Sequence, residues 1–213
     1  MYDLIMFDLD GTLVNSEEGV TKTVQYALSA CGIEENNQDT LRRCIGPPLI
    51  DAFMEYYGMT EAEGLKALEK YRERYKTTGV YENEIFPDVE YVLKTLKENG
   101  KKVALATSKP HIFAREVLKS FNLTKYFDII VGAEFDGTRN DKADVIKEVL
   151  NQAGEYKKPV MIGDRKHDVE GAKKNGLPCI GVSFGFAPEG ELEEYGAIAI
   201  ADDMNNLLEI LLT

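Results

Sequence analysis

The sequence predicts an α/β protein with a doubly wound, parallel-sheet core of the Rossmann-like kind and an inserted all-helical domain. Short apolar runs alternate with helical patterns beyond residue 85, which is typical of a parallel sheet covered by helices. A further apolar run, Leu4 to Phe7, precedes a long block with helical patterns only. Polar side chains directly follow several predicted strands, where parallel sheets bind ligands.

The first predicted element is a buried strand, because Leu4 to Phe7 are all apolar and a turn sequence follows shortly. From about residue 15 to 84 the spacing of apolar residues is helical, with no convincing strand. Three helical stretches are predicted there, with apolar positions from Val20 to Leu28, from Leu49 to Met54 and from Leu65 to Tyr75. The first stops at Cys31-Gly32, the second follows the break Gly46-Pro47-Pro48, and the third ends before Gly79.

Alternation begins after Pro87. Because an inserted block separates the first strand from the others, we predict a core of residues 1–14 and 85–213 and a helical cap domain of residues 15–84. The predicted helices are Val89–Leu96, Ile112–Leu118, Ala143–Leu150, Val169–Lys174 and Leu207–Leu212, and the predicted strands are Val103–Ala106, Phe127–Val131, Val160–Ile162, Cys179–Val182 and Ala197–Ala201.

Composition narrows the class of protein. Of the 213 residues 44% are hydrophobic, enough to bury a proper core. The net charge of −12 argues against a nucleic-acid or anionic-membrane partner. The three cysteines have no paired-ligand spacing, which disfavours a zinc site or a disulfide framework. With no recognisable signal peptide and no membrane-length apolar stretch, we expect a cytoplasmic location.

Two carboxylates follow the first strand. Asp8 and Asp10 are two residues apart, so a regular strand would place both on one face with like charge. A hard divalent cation with oxygen ligands, of which Mg²⁺ is the expected one, would relieve the repulsion. The alternative is a surface strand-to-turn junction, since Asp-Gly is a common turn dipeptide.

Two later segments could bind phosphate. Thr107 and Ser108 follow the second core strand, where hydroxyls and backbone N–H groups at a helix start suit a phosphate oxygen. The alternative is an ordinary helix N-cap. Lys142 lies at the start of the next helical pattern and could neutralise both Asp8 and a phosphate. The alternative is an exposed lysine in a first helical turn.

A fourth motif, Gly163-Asp164-Arg165-Lys166-His167-Asp168, follows the strand Val160–Ile162. Asp164 and Asp168 are four residues apart, so an incipient helix would place both on one side, where they could complete a Mg²⁺ shell. The alternative is an acidic helix N-terminus favoured by the helix dipole.

Together these segments resemble the four signature motifs of the haloacid dehalogenase superfamily, in its phosphatase branch. Asp8-Leu9-Asp10-Gly11-Thr12 matches the first motif, Thr107-Ser108 the second, Lys142 the third, and Gly163-Asp164 with Asp168 the fourth. The inserted helical block resembles the cap of the phosphoglycolate phosphatase-like group. Two segments, 134–139 and 163–168, look most like proteins described as 5′-nucleotidase-like.

The resemblance implies hydrolysis of a small anionic phosphate ester through an aspartyl-phosphate on Asp8. Asp10 would protonate the leaving alcohol and then activate water. The implied Mg²⁺ ligands are Asp8, the backbone carbonyl of Asp10 and Asp164, with Asp168 in an outer shell. Leu9, through its backbone, and Thr107, Ser108 and Lys142 would hold the phosphoryl group.

Substrate identity stays open at this stage. A mononucleotide is the first expectation and phosphoglycolate the second, because Ala143 stands where many phosphoglycolate phosphatases have proline. The alternatives are a sugar phosphomutase, a phosphatase of phosphotyrosine or other esters, and a non-enzymatic phospho-acceptor on Asp8. Arg42, Arg43 and Gly46 are the candidate specificity residues of the cap, with a solvated helix face as the alternative.

Overall fold

The computed structural model describes residues 1–139 and 141–213. The strands are β1 (Leu4–Phe7), β2 (Val14–Asn15), β3 (Glu84–Ile85), β4 (Lys102–Pro110), β5 (Ile129–Ala133), β6 (Pro159–Gly163), β7 (Cys179–Val182) and β8 (Ala199–Ala201). The α-helices are α1 (Glu17–Ala30), α2 (Gln38–Arg42), α3 (Leu49–Tyr57), α4 (Glu61–Tyr75), α5 (Val89–Glu98), α6 (His111–Ser120), α7 (Lys142–Ala153), α8 (Lys166–Lys174), α9 (Glu191–Tyr195) and α10 (Met204–Leu212). Two short 3₁₀ helices cover Gly79–Tyr81 and Thr124–Tyr126.

Six strands form one parallel sheet in the order β5-β4-β1-β6-β7-β8. β1 lies in the middle, with Phe7 opposite Leu105 of β4 and Ile162 of β6. The order reverses at β1, and in such sheets ligands bind beyond the carboxyl ends of the strands near this reversal. The predicted α/β class with a Rossmann-like parallel sheet is confirmed.

Burial explains why these segments form strands and helices. All four residues of β1 have no exposed surface, as expected of a strand covered by helices on both faces. The flanking helices carry one apolar stripe each: in α5 the buried residues are Val89, Val92, Leu93 and Leu96.

Contacts between Cα atoms divide the chain into two compact units, Met1–Asn15 with Ile85–Thr213, and Ser16–Glu84. The first, called the core unit below, holds the parallel sheet. The second, called the helical unit, holds α1 to α4. No helix within the described residues is long and apolar enough to cross a membrane.

The structure corrects the predicted elements in three places. The block from residue 15 to 84 is not free of strand, because Asn15 and Glu84 belong to β2 and β3, which form a separate two-stranded sheet. β4 does not end at Ala106 but continues to Pro110. The short helices α2 and α9 were not predicted, since five residues are too few for a periodic pattern.

Within the helical unit, one tight packing point depends on a glycine. Gly19 of α1 faces the backbone of Gly79, and a Cβ at position 19 would overlap with the Gly79 carbonyl oxygen. Gly64 of α4 is also buried, but a Cβ there would make only ordinary contact, 3.5 Å from the Ile50 side chain.

These two helical glycines should therefore respond in opposite directions to alanine. We expect Gly19→Ala to lower the free energy of unfolding by about 1–3 kcal/mol through overpacking. Gly64→Ala should raise it by about 0.5–1 kcal/mol, because alanine favours helix. Urea denaturation followed by circular dichroism measures both. Equal effects of the two substitutions would contradict the packing described for Gly19.

Candidate active site

The predicted site residues of the core unit converge at the carboxyl end of its sheet. Asp8 directly follows β1, Asp164 directly follows β6, and Lys142 is the first residue of α7. Because β4, β1 and β6 are adjacent and parallel, their ends bring the following residues to one edge. Asp8 is only 8% exposed, so the alternative of a surface turn is wrong.

Lys142 is the centre of this cluster. Its Nζ lies 2.8 Å from Asp8 Oδ1 and 2.8 Å from Asp168 Oδ1. It also donates a hydrogen bond of 3.1 Å to the carbonyl oxygen of Ala106 in β4. Lys142 is buried, so the alternative of an exposed lysine is also wrong.

The two later carboxylates are held by backbone and hydroxyl donors. Asp164 Oδ2 accepts a 2.7 Å hydrogen bond from the backbone N–H of Phe186, and Oδ1 lies 3.4 Å from the donor Thr12 Oγ1. Asp168, in the first turn of α8, accepts from the backbone N–H of Arg165 at 3.1 Å through Oδ2. Both oxygens of Asp168 thus already have protein partners, one of them Lys142.

Two glycines give the carboxylates their space. Gly11 has a φ of +78°, and a Cβ there would overlap with the Asp164 carboxylate. A Cβ at Gly163 would overlap with the side chain of Asp168. Both positions need glycine because a carboxylate occupies the place where a side chain would begin.

Burial and like charge both perturb the carboxyl groups. Burial raises the pKa of Asp8 to about 6, with Asp168 and Asp10 adding to the rise and Lys142 opposing it. Burial, together with Asp168 and Asp8, raises the pKa of Asp164 well above its ordinary value. Burial alone would lower the pKa of Lys142, but the two carboxylates beside it raise it overall.

Asp8, Asp164 and Asp168 could together hold a metal ion, since one carboxylate oxygen of each lies within 4.8 Å of the others. All three are buried, and oxygen ligands of this charge suit Mg²⁺. The donor set therefore fits a hard divalent cation. Because Asp168 is already engaged by Lys142 and by a backbone N–H, its position also suits orienting the neighbouring groups.

Asp10 does not join this cluster through its side chain but pairs with a different lysine. Lys109 Nζ lies 2.7 Å from Asp10 Oδ1 and 2.8 Å from Oδ2. Asp10 also forms an isolated bridge with Val14, and Leu9 accepts backbone hydrogen bonds that close the intervening turn. Sequence reasoning missed Lys109, because a lysine near the end of a strand gives no signal of its partner.

Thr107 and Ser108 both lie near the end of β4. They do not cap a helix, because α6 begins at His111 after Pro110, which corrects the N-cap alternative. Thr107 is buried, and its Oγ1 accepts a 3.2 Å hydrogen bond from the backbone N–H of Lys109.

The predicted specificity residues, Arg42, Arg43 and Gly46, belong to the helical unit, whereas the other candidate residues belong to the core unit. Arg42 Nε lies 2.6 Å from Glu17 Oε1, so an ion pair engages its guanidinium. Arg43 is exposed and stacks over the Tyr56 ring, 4.2 Å from its centroid. Gly46 has a φ of +106°, a backbone conformation that favours glycine.

A second group of residues missed by sequence reasoning supports the fourth motif. Arg165 Nε donates a 2.9 Å hydrogen bond to Glu191 Oε1, and the backbone N–H of Lys166 donates to the same oxygen at 3.0 Å. These bonds fasten the start of α8 to α9. The only sequence signal was the basic run 165–166 beside Asp164.

The fold and the site define a Rossmann-like α/β protein with a buried acidic centre held by Lys142, and a family comparison identifies its class. The family model of the haloacid dehalogenase-like hydrolases matches residues 5–182. The chain belongs to this family. It is a phosphatase, in agreement with the relatives and solved structures described as phosphatases.

Relatives cover nearly the whole chain. A 5′-nucleotidase of Pseudomonas aeruginosa is 43% identical over 211 residues, 99% of this chain and 96% of the relative. Phosphoglycolate phosphatase 1 of the same organism is 30% identical, over 96% of this chain and 78% of the relative. The crystal structure of a predicted phosphatase from Clostridium acetobutylicum has a TM-score of 0.95 and 41% identity, covering 100% of this chain and 99% of that one.

The raised pKa of Asp8 predicts how stability depends on pH. The ordinary pKa is 3.8 and the folded value about 6, so the folded protein binds more protons between these values. The ionised Asp8 therefore lowers the free energy of unfolding progressively as pH rises from about 4 to about 6, and the loss persists above.

Asp8→Asn removes this loss. With EDTA at about pH 7.5 we expect the variant to exceed wild type in free energy of unfolding by about 1–3 kcal/mol, with the advantage shrinking toward pH 4. Mg²⁺ should stabilise wild type more than the variant, because it binds the folded carboxylates. Urea titrations across pH measure both. If Asp8→Asn were less stable than wild type at neutral pH without Mg²⁺, the raised pKa of Asp8 would be contradicted.

Proposed function

We propose that the chain is a Mg²⁺-dependent phosphomonoester hydrolase that works through an aspartyl-phosphate on Asp8. The observation that carries the proposal is the buried cluster in which Lys142 bridges Asp8 and Asp168, 2.8 Å from each. An ionised, oriented carboxylate at the carboxyl end of the central strand is suited to nucleophilic attack.

The charge of the site supports a divalent cation. The four carboxylates Asp8, Asp10, Asp164 and Asp168 carry −4 when ionised, and Lys109 and Lys142 carry +2, which leaves −2. Asp8, Asp164 and the backbone carbonyl of Asp10 would hold Mg²⁺, with Asp168 supporting them. When bound, Mg²⁺ would neutralise charge on the phosphoryl group and on the nucleophile.

The residues of the site have separate proposed roles, each supported by the residue's position. Asp8 attacks phosphorus while Lys142 holds its carboxylate. Asp10 gives a proton to the leaving alcohol, then takes one from the attacking water. Thr107, Ser108 and the backbone at Leu9 lie at the strand ends, where donors can hold the phosphoryl oxygens.

A 5′-mononucleotide is the proposed substrate. The 43% identity to a 5′-nucleotidase along nearly the full chain supports this choice. Phosphoglycolate is the second candidate, supported by the 30% identity to a phosphoglycolate phosphatase. Net charge of −12 supports a small-molecule substrate over a nucleic acid or a membrane.

The helical unit, Ser16–Glu84, is proposed to act as a cap that recognises the leaving group. Arg43 is its best candidate, because it is exposed and already stacked on an aromatic ring, an arrangement that suits planar ligands. Arg42 is less suited, because Glu17 engages it.

The direct test is phosphate release from mononucleotides, phosphoglycolate, sugar phosphates and phosphotyrosine, with Mg²⁺ and with EDTA. We expect Mg²⁺-dependent release, fastest from 5′-mononucleotides. Asp8→Asn should abolish it, because the nucleophile is lost. Asp10→Asn should lower the rate about 10²–10⁴-fold, because acid–base catalysis is lost.

Several outcomes of that test would contradict the proposal. Conversion of a sugar phosphate without free phosphate would indicate a phosphomutase. Phosphorylation of Asp8 without turnover would indicate a phospho-acceptor. Best release from phosphotyrosine would retain the reaction but move the substrate to another class of ester.

Arg43→Ala and Arg42→Ala form a matched pair that tests the cap. We expect Arg43→Ala to raise KM for a mononucleotide about 10-fold while leaving turnover of p-nitrophenyl phosphate unchanged, since only leaving-group recognition is lost. Arg42→Ala should have a smaller effect. Steady-state kinetics on both substrates measures this. An equal loss on both substrates, or an effect of Arg42→Ala as large as that of Arg43→Ala, would contradict it.

A further inference from the structure

A second lysine of the site, Lys109, forms an ion pair with Asp10. Lys109 Nζ contacts both oxygens of Asp10, at 2.7 and 2.8 Å, while Lys142 serves Asp8 and Asp168. The Lys109 side chain is only 6% exposed. Burying an ammonium group is costly unless it is paired, so its carboxylate partner is what makes this position favourable.

The backbone is built to aim Lys109 at Asp10. The pairing of β4 with β5 shifts register between Thr107 and Pro110, an irregularity of the β-bulge kind. Bulges next to active sites re-aim side chains. Within this stretch the N–H of Lys109 donates to Thr107 Oγ1 at 3.2 Å, which fixes the local conformation.

A glycine in the neighbouring strand makes room for this irregularity. Gly132 of β5 lies against it so closely that a Cβ there would be 2.6 Å from the carbonyl oxygen of Lys109 and 2.8 Å from Cα of His111. Three features therefore coincide at one place: a register shift, a glycine that permits close approach, and a buried ion pair across the site.

We propose that Lys109 is a positioning residue that holds the Asp10 carboxylate as the base of the second half-reaction. The inference rests on the proposed aspartyl-phosphate mechanism. In that step the oxygen of water bonds to phosphorus, the bond between phosphorus and the Asp8 oxygen breaks, and a water proton passes to Asp10. The products are inorganic phosphate and the free Asp8 carboxylate. A paired carboxylate keeps one orientation toward the water.

Lys109→Met tests this role, with Lys125→Met as the matched control. Lys125 also pairs with a carboxylate, Glu90 at 3.1 Å, but on an exposed surface. We expect Lys109→Met to lower kcat and KM together, each about 10- to 100-fold, and to leave kcat/KM nearly unchanged, because only the step after the intermediate is slowed. Because breakdown of a common intermediate then limits turnover, a burst of released alcohol should precede steady state, and kcat should become equal for different esters.

Lys109→Arg keeps the positive charge, so it should recover part of the lost kcat. Lys125→Met should match wild type in every measurement. Thermal unfolding of each variant separates lost folding from lost positioning, and a folded Lys109→Arg provides the test if Lys109→Met does not fold.

Three results with Lys109→Met would contradict the proposed positioning role of Lys109. A raised KM with unchanged kcat would make Lys109 a substrate-binding residue. A lowered kcat without a burst, still dependent on the leaving group, would place its effect on the first step. Wild-type kinetics in Lys109→Met would remove any role. Failure of the proposed function would show in other proteins than the Lys109 variants. Wild type would then release no phosphate, or Asp8→Asn would still release it.

Discussion

The structure of the site depends on one buried interaction, the pairing of Lys142 with Asp8 and Asp168. Three carboxylates packed within 4.8 Å repel one another, and burial removes the water that would screen them. Without Lys142, Asp8 and Asp168 would both be buried carboxylates with no cation beside them, whereas Lys142 keeps a partner when either carboxylate is neutralised. Lys142 therefore both permits the cluster to form and holds Asp8, the proposed nucleophile.

The surrounding backbone follows from the space these charged groups need. Gly11 and Gly163 stand where a Cβ would overlap with Asp164 and Asp168, and Gly132 stands where β4 departs from regular pairing to present Lys109. The parallel sheet supplies the frame, since adjacent strands deliver their following residues to one edge. Lys142 pairs with Asp8 and Asp168, and Lys109 pairs with Asp10. Asp8 and Asp10 are therefore held by different lysines, which suits the different roles proposed for them.

The sequence predicted the parallel sheet and the convergence of the candidate site residues at its carboxyl end, because both leave local signals. Apolar runs followed at once by Asp8, Thr107 or Asp164 identify strand ends in a doubly wound fold. The pairing of Lys109 with Asp10 could not be predicted, because it joins residues 99 positions apart and depends on a register shift. The continuation of β4 through Thr107 and Ser108 was missed because polar residues there favour a helix cap locally, whereas pairing with β5 decides the outcome.

Mapping the phosphorylated residue shows whether Asp8 carries the phosphoryl group. Wild-type protein is mixed with its best ester and Mg²⁺, quenched in acid within the first turnover and analysed by peptide mass spectrometry. We expect a hydroxylamine-sensitive phosphoryl group on Asp8. Turnover with no phosphorylated intermediate detectable under single-turnover conditions, or a phosphoryl group on another residue, would contradict it.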